Sequence, residues 1–193
     1  MRQQTAPARL LADAGEALAR WGGLWYLFGA QAVVVWGRPR LTADVDITVR
    51  LNPEDTLGFC AAMEAAGFRL RVSDPRTFLA RTSVLPFVHE ATRLPLDVVL
   101  AGPGLEEHFL ERAVLVEIEG LQIPVISPED LIVSKILAGR PKDIEDVRSV
   151  MAERCDSLDS GQIRSTLGLL EQALAQSDLL SVFDAELARA RGR

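Results

Sequence analysis

The spacing of apolar residues changes several times along the chain, and each change marks an element. Leu10, Leu11, Ala14, Leu18 and Trp21 recur at helical intervals over residues 8–21, and Gly22-Gly23 closes that run. "LWYLF" is continuously apolar and predicts a buried strand ending at Phe28. Gly29 supplies a turn, "AQAVVVWG" predicts a short apolar helix closed by Gly37, and "RPRLT" reads as a loop. Val45, Ile47 and Val49 then alternate with Asp44, Asp46 and Thr48, the period of two that defines a strand with one apolar face. A helix started by Pro53 is expected over 53–66, with Leu57, Cys60, Ala61 and Met63 inward. "FRLRV", "SVLPFVH" and "LPLDVVLA" predict short strands, and a helix is expected near 104–112. "AVLVEIEGLQIPVI" predicts a hairpin turning at Glu119-Gly120.

The pattern becomes wholly helical at Ser127. Ser127 is a good N-cap, Pro128 suits the first helical position, and Asp130 offers the carboxylate of a capping box. Helices are predicted over 128–139, 141–154, 160–176 and 178–190. The expected architecture is α/β (α+β): a core over 1–126 with a short mixed sheet flanked by helices, and a helical C-terminal part over 127–193 packed on it.

Composition narrows the classes. Hydrophobic residues make up 48% and charged residues 25%, which fits a globular chain and not a disordered one. No apolar run reaches bilayer length and "MRQQTAPAR" lacks a signal-peptide core, so a cytoplasmic protein with no membrane partner is expected. Cys60 and Cys155 lie far apart in predicted helices, which argues against a disulfide framework. The net charge of −6 disfavours a protein that coats nucleic acid nonspecifically, while leaving room for a local basic groove. Of the 21 basic residues only Lys135 and Lys142 are lysines, and they stand seven positions apart.

The candidate chemistry starts with Asp44 and Asp46. On a strand their side chains share one face, roughly 7 Å apart along the backbone. Two carboxylates at about 6 Å repel by roughly 3 kcal/mol at an effective dielectric near 20, a cost that open solvent or a cation relieves. Magnesium suits such a pair, because it takes one or two carboxylates and completes its shell with water and substrate phosphate. Upstream, "YLFGAQA" runs strand, glycine, helix. It places Gly29 and free helix amides at a strand end, an arrangement that favours anions, although glycine is also the usual residue of a tight turn. Asp97 is the acid within the apolar run "RLPLDVVLAG", and a carboxylate buried there needs a partner or a metal; the other reading is a partly exposed edge position. Glu90 is a weaker substitute. Asp143 and Asp146 share a helix face and can hold Lys135 or Lys142. Arg69, Arg71, Arg76 and Arg81, and the tail Arg189, Arg191 and Arg193, are basic clusters that fit either a nucleic-acid backbone or an ordinary solvated surface. His89 and His108 have no metal-ligand spacing.

Gly29-Ala30 followed after thirteen residues by Asp44-Val45-Asp46 resembles the signature of the polymerase-β-like nucleotidyltransferase superfamily. The phrase "GAQAVVVWGRPRLTADVDITV", with Arg40, Thr42, Asp44 and Asp46, is similar to its AbiEii-type toxin branch. The resemblance implies a nucleotidyltransferase fold that moves NMP from a Mg²⁺–NTP to an acceptor hydroxyl and releases pyrophosphate. It implies two Mg²⁺ ions on Asp44, Asp46 and Asp97, with Asp97 also activating the acceptor. Gly29, Ala30, Arg40, Thr42, Lys135 and Lys142 would bind nucleotide phosphate, supported by Asp143 and Asp146. Ala30 departs from the serine or glycine common at that position and offers only its backbone amide. Among the implied acceptors is tRNA, with an antitoxin protein as partner. Other members of the superfamily modify antibiotics or proteins, and a catalytically silent nucleotide-binding protein of the same fold is the rival reading.

Overall fold

A computed structural model describes residues 4–39, 42 and 44–192. Two compact units divide the chain: Met1–Gln31 with Thr42–Ile126, and Ala32–Leu41 with Ser127–Arg193.

The first unit is built on a mixed sheet. Its strands are β1 (Trp25–Phe28), β2 (Val45–Val49), β3 (Phe68–Leu70), β4 (Val84–His89), β5 (Pro95–Leu100), β6 (Val114–Ile118) and β7 (Leu121–Val125). Across the sheet they lie in the order β3-β4-β5-β2-β1-β7-β6. The pairs β2–β5 and β1–β7 are parallel, and the remaining neighbours are antiparallel. The helices are α1 (Ala6–Trp21), the first turn of α2 (Gly29–Trp36), α3 (Thr56–Ala65), α4 (Pro75–Thr82) and α5 (Leu105–Glu111).

Alternation gives the sheet two chemically distinct faces. Val45, Leu96 and Phe87 lie in one register row, and Phe87 meets Phe59 of α3 edge to face at 6.4 Å, so α3 covers this face. One strand pair further, His89 stacks on Phe68 at 4.8 Å. Its Nε2 lies 3.0 Å from Asp13 Oδ2 of α1, and its Nδ1 is 2.9 Å from Thr92 Oγ1. The acids Asp46 and Asp97 belong to the opposite face.

Two local expectations are corrected. A 3₁₀ turn, Pro53–Asp55, precedes α3, and the inward set is Thr56, Phe59, Cys60 and Met63, while Leu57 and Ala61 face solvent. That set is the i, i+3, i+4, i+7 stripe. Residues 75–82 form α4, which the apolar pattern does not indicate because Leu79 is its only buried residue. Asp74 nevertheless caps it through Thr77 N, and Pro75 opens it.

In the second unit α6 (Pro128–Ala138), α7 (Pro141–Arg154), α8 (Ser160–Leu174) and α9 (Leu179–Arg191) pack around Leu131, Ile132, Ile136, Val147, Met151, Ile163, Leu167 and Phe183. Ser127 Oγ accepts from Asp130 N at 3.1 Å, and Gly139 ends α6 in the left-handed conformation. Glu186 of α9 holds Arg148 of α7 through two hydrogen bonds of 2.8 and 2.7 Å. No helix among the described residues is long and apolar enough to cross a membrane.

Candidate active site

The register of three adjacent strands assembles the site. Phe28 of β1 pairs with Asp46 of β2, Asp46 with Asp97 of β5, and Asp97 with Pro86 of β4. Residues paired across neighbouring strands project to the same side, so the Asp46 and Asp97 carboxylates are neighbours on one face, about one strand spacing apart. The row extends beyond β4, because Arg71 N donates to Pro86 O at 2.9 Å. Asp44 lies just ahead of β2, exposed, one position before the Val45–Leu96 pair.

Gly29 begins α2 directly after Phe28 at φ +64°, a conformation that side-chain-bearing residues rarely adopt. A Cβ there would collide with Asp46 Oδ2 and lie 3.1 Å from Asp46 Cβ, so the glycine is required by backbone conformation and by the acid that stands over it. The first turn of α2 holds no acidic residue, which leaves its amides and positive end without a competing charge of their own. Gln31 Nε2, within this first turn, donates to Thr42 O at 3.5 Å and ties the turn to the segment before β2. Ala30 is part of this turn. Arg40 lies outside the described residues.

Asp97 occupies an interior strand, between β4 and β2, yet its side chain is 44% exposed. It is therefore neither the fully buried acid nor the edge residue that its apolar neighbours suggest. One oxygen, Oδ1, is shielded and has no hydrogen-bond partner, with Arg71 Nη1 at 3.8 Å. Desolvation raises its pKa; Arg71 pulls it back and Asp44 adds to the rise. Asp44, Asp97, Arg69, Arg71, Val88 and Arg93 line an open groove of about 530 Å³. Arg69 and Arg71, a basic cluster in the sequence, line this groove, and Arg93 joins them without a signal in the sequence. The strand alternation of Arg69 with Arg71 puts both on one face, whereas the β4–β5 turn brings Arg93 there.

The donor set fits a hard divalent cation. The acids supply only oxygen, and Asp97 Oδ1 is a shielded acceptor without a donor. Among the described residues no three His, Cys, Asp or Glu side chains converge on a point. Magnesium does not need that many, since substrate phosphates and water complete its shell.

The remaining candidates lie in the second unit. Lys135, 13% exposed, donates to Asp143 Oδ1 at 3.0 Å and to Asp146 Oδ2 at 2.7 Å. Asp143 is fully buried and also accepts from Arg140 Nη2 at 3.2 Å and from its Nε. Burial alone would raise the Asp143 pKa, but hydrogen bonds from Arg140 and Lys135 outweigh it, and the net shift is downward. Lys142 is exposed, as are Arg189 and Arg191. In the first unit His89 is a buried structural partner, and His108 is exposed near Glu111.

Residues 24–167 match the family model described as "Nucleotidyltransferase of unknown function (DUF6036)". No curated protein matches the chain. Among solved structures the chain is similar to the antibiotic-resistance factor ANT(2'')-Ia, at TM-score 0.58 and 17% identity, over 98% of this chain and 97% of that one. It is also similar to an antigenic nucleotidyltransferase-like protein from Paracoccidioides brasiliensis, at TM-score 0.57 and 16% identity, over 92% and 91% of the two chains. A third likeness is to the lincosamide antibiotic adenylyltransferase LnuA, bound to lincomycin, at TM-score 0.50 and 16% identity, over 77% and 98%. At these identities the likeness establishes the nucleotidyltransferase fold.

Proposed function

The chain belongs to the family of nucleotidyltransferases of unknown function DUF6036, and from that membership we propose that it moves a nucleotidyl group from a Mg²⁺–NTP to an acceptor hydroxyl and releases pyrophosphate. The observation that carries the reading is the in-register pairing of Asp46 with Asp97 on adjacent parallel strands, with Gly29 backing Asp46.

In this reading Asp44, Asp46 and Asp97 would hold up to two Mg²⁺ ions, which when bound would supply charge neutralisation to the phosphates. The Gly29 and Ala30 amides at the start of α2 take phosphate oxygens, with Thr42 and Arg40 beside them by resemblance. The Asp97 carboxylate, half open to the groove, accepts the hydrogen of the acceptor hydroxyl. The hydroxyl oxygen bonds to the α-phosphorus and the bond to pyrophosphate breaks. Lys135 and Lys142 are kept as phosphate ligands on the resemblance alone, Asp143 and Asp146 as the groups that position Lys135.

The finer assignment, an AbiEii-like bacterial toxin acting on tRNA and restrained by an antitoxin, rests on the Arg40–Asp46 phrase. An antibiotic acceptor has the fold likeness to ANT(2'')-Ia and LnuA behind it. A catalytically silent nucleotide binder has only Ala30. The test of the common reading is pyrophosphate release and label transfer from each α-labelled NTP in Mg²⁺ with total RNA as acceptor. Asp44→Asn combined with Asp46→Asn is expected to lower transfer at least a hundredfold; full transfer in that variant would refute the assignment.

A further inference from the structure

The acid-bearing face of the sheet continues past Asp97 into a basic region. Arg69 pairs with Val88, and Val88 with Pro95, so Arg69 and Arg71 stand two residues apart beside the rows that carry Asp44 and Asp97. The β4–β5 turn adds Arg93 to the same groove. Among the described residues neither Arg69 nor Arg93 forms an ion pair, and Arg71 reaches Asp97 only at 3.8 Å. Three guanidinium groups thus face two carboxylates, and any cation held by the carboxylates makes the groove more positive still. This stands out on a chain with a net charge of −6. Arg93 moreover has φ +63°, where glycine or asparagine would be relaxed, so the turn carries a charged side chain against its conformational preference.

The groove also has an apolar side. A hollow of about 410 Å³ shares Arg71 and Asp97 with it and is lined by Phe78, Val84 and Pro86, with Phe78 half-buried on α4. Guanidinium groups recognise phosphate through paired N–H donors, and an aromatic edge with an apolar floor suits a flat ring or sugar. Arg69 and Arg71, on and just after β3, stand on the far side of Asp97 from Gly29, about two strand spacings (~10 Å) from Asp97 at the backbone, and Arg93 lies in the β4–β5 turn, which places all three with the acceptor and not with the phosphate turn.

We infer that this groove receives an acceptor that itself carries phosphate close to its reacting hydroxyl, as a nucleotide or the 3′ end of an RNA does, and not an amine-rich sugar. The inference rests on the nucleotidyl-transfer reading and adds the chemical class of the second substrate. Polycationic acceptors would meet Arg69, Arg71 and Arg93 with like charge. Phosphate-bearing ones gain two unpaired arginines.

The experiment measures binding of fluorescein-labelled triadenylate to the full chain with Mg²⁺, alongside competition by AMP, adenosine and tobramycin. Arg69→Glu and Arg93→Gly are compared with the parent. Arg93→Gly relieves the left-handed turn, so its fold is expected to be kept, and thermal melting checks both variants. At least tenfold weaker triadenylate binding in each variant is expected, with Mg²⁺–NTP affinity within about twofold of the parent. AMP competing as well as triadenylate identifies a free nucleotide as the source; competition by oligonucleotide alone identifies an RNA end. Either supports the inference. Triadenylate binding indifferent to both variants, adenosine or tobramycin competing best, or NTP affinity falling as much as that of the acceptor overturns it. A parent chain that binds Mg²⁺–NTP but fails in those ways loses this inference alone. A parent chain that binds no Mg²⁺–NTP loses the nucleotidyl-transfer reading and the inference together.

Discussion

Asp97 in the sheet and Asp143 in the helical unit each stand beside a cation, and their carboxylates are completed to different degrees. Asp143 is fully buried, and both of its oxygens accept charge-assisted hydrogen bonds from Lys135 and Arg140. Asp97 is half open to the groove, with one shielded oxygen lacking a hydrogen bond and its arginine at 3.8 Å. The pKa of Asp143 falls and that of Asp97 rises. A finished carboxylate holds the fold, while an unfinished one keeps a valence for a ligand.

The largest effect that separates the two is on stability. Replacing Asp143 with Ala removes a fully buried acceptor from Lys135, which keeps Asp146, and from the more exposed Arg140, and should cost about 2–3 kcal/mol, as lost hydrogen bonds between charged groups do. For a chain of this size that lowers the melting midpoint by roughly 10 °C, read by thermal denaturation. A midpoint within about 2 °C of the parent would break the comparison. Next comes Gly29→Ala, which forces a left-handed alanine into the space of Asp46. The backbone alone costs about 1–2 kcal/mol. Because the clash displaces Asp46, nucleotidyl transfer should fall by more than the folding loss explains, which activity measured well below the midpoint will reveal.

How much of this was legible differs between the same two regions. Ser127-Pro128 announces α6, and Asp143 with Asp146 announces a clamp, because capping and helix-face spacing are local. Asp74-Pro75 carries the same start signal, but α4 has one buried residue, so no apolar stripe drew attention to it. The α/β core and the row Gly29, Asp44, Asp46 could be read from turn and strand period. That Asp97 is interior but exposed could not, since exposure depends on which strands flank β5 and which side of the sheet is covered. Phe59, and not Leu57, faces Phe87 for the same reason: the covering face is a tertiary fact.

The smallest effect is the response to acid. Glu186 is held down by its hydrogen bonds to Arg148, and Asp143 is lowered despite its burial. A depressed carboxylate gives stability that is present above its unfolded pKa and is lost as pH falls through the folded one. Glu186→Gln should therefore lower the midpoint at pH 7, and the deficit against the parent should shrink as the pH drops below the ordinary carboxylate range. Asp97 has the opposite sign. Its raised pKa means the folded chain prefers it neutral, a preference satisfied at low pH and lost as pH rises through the folded value.

The most direct test is Asp97→Asn, with transfer and melting measured on the same preparation at pH 7. Nucleotidyl transfer should fall at least a hundredfold. The midpoint should equal or exceed that of the parent, and any gain should disappear in acid. Retained transfer, or a midpoint several degrees below the parent, would contradict the assignment of Asp97 as the unfinished, reacting carboxylate.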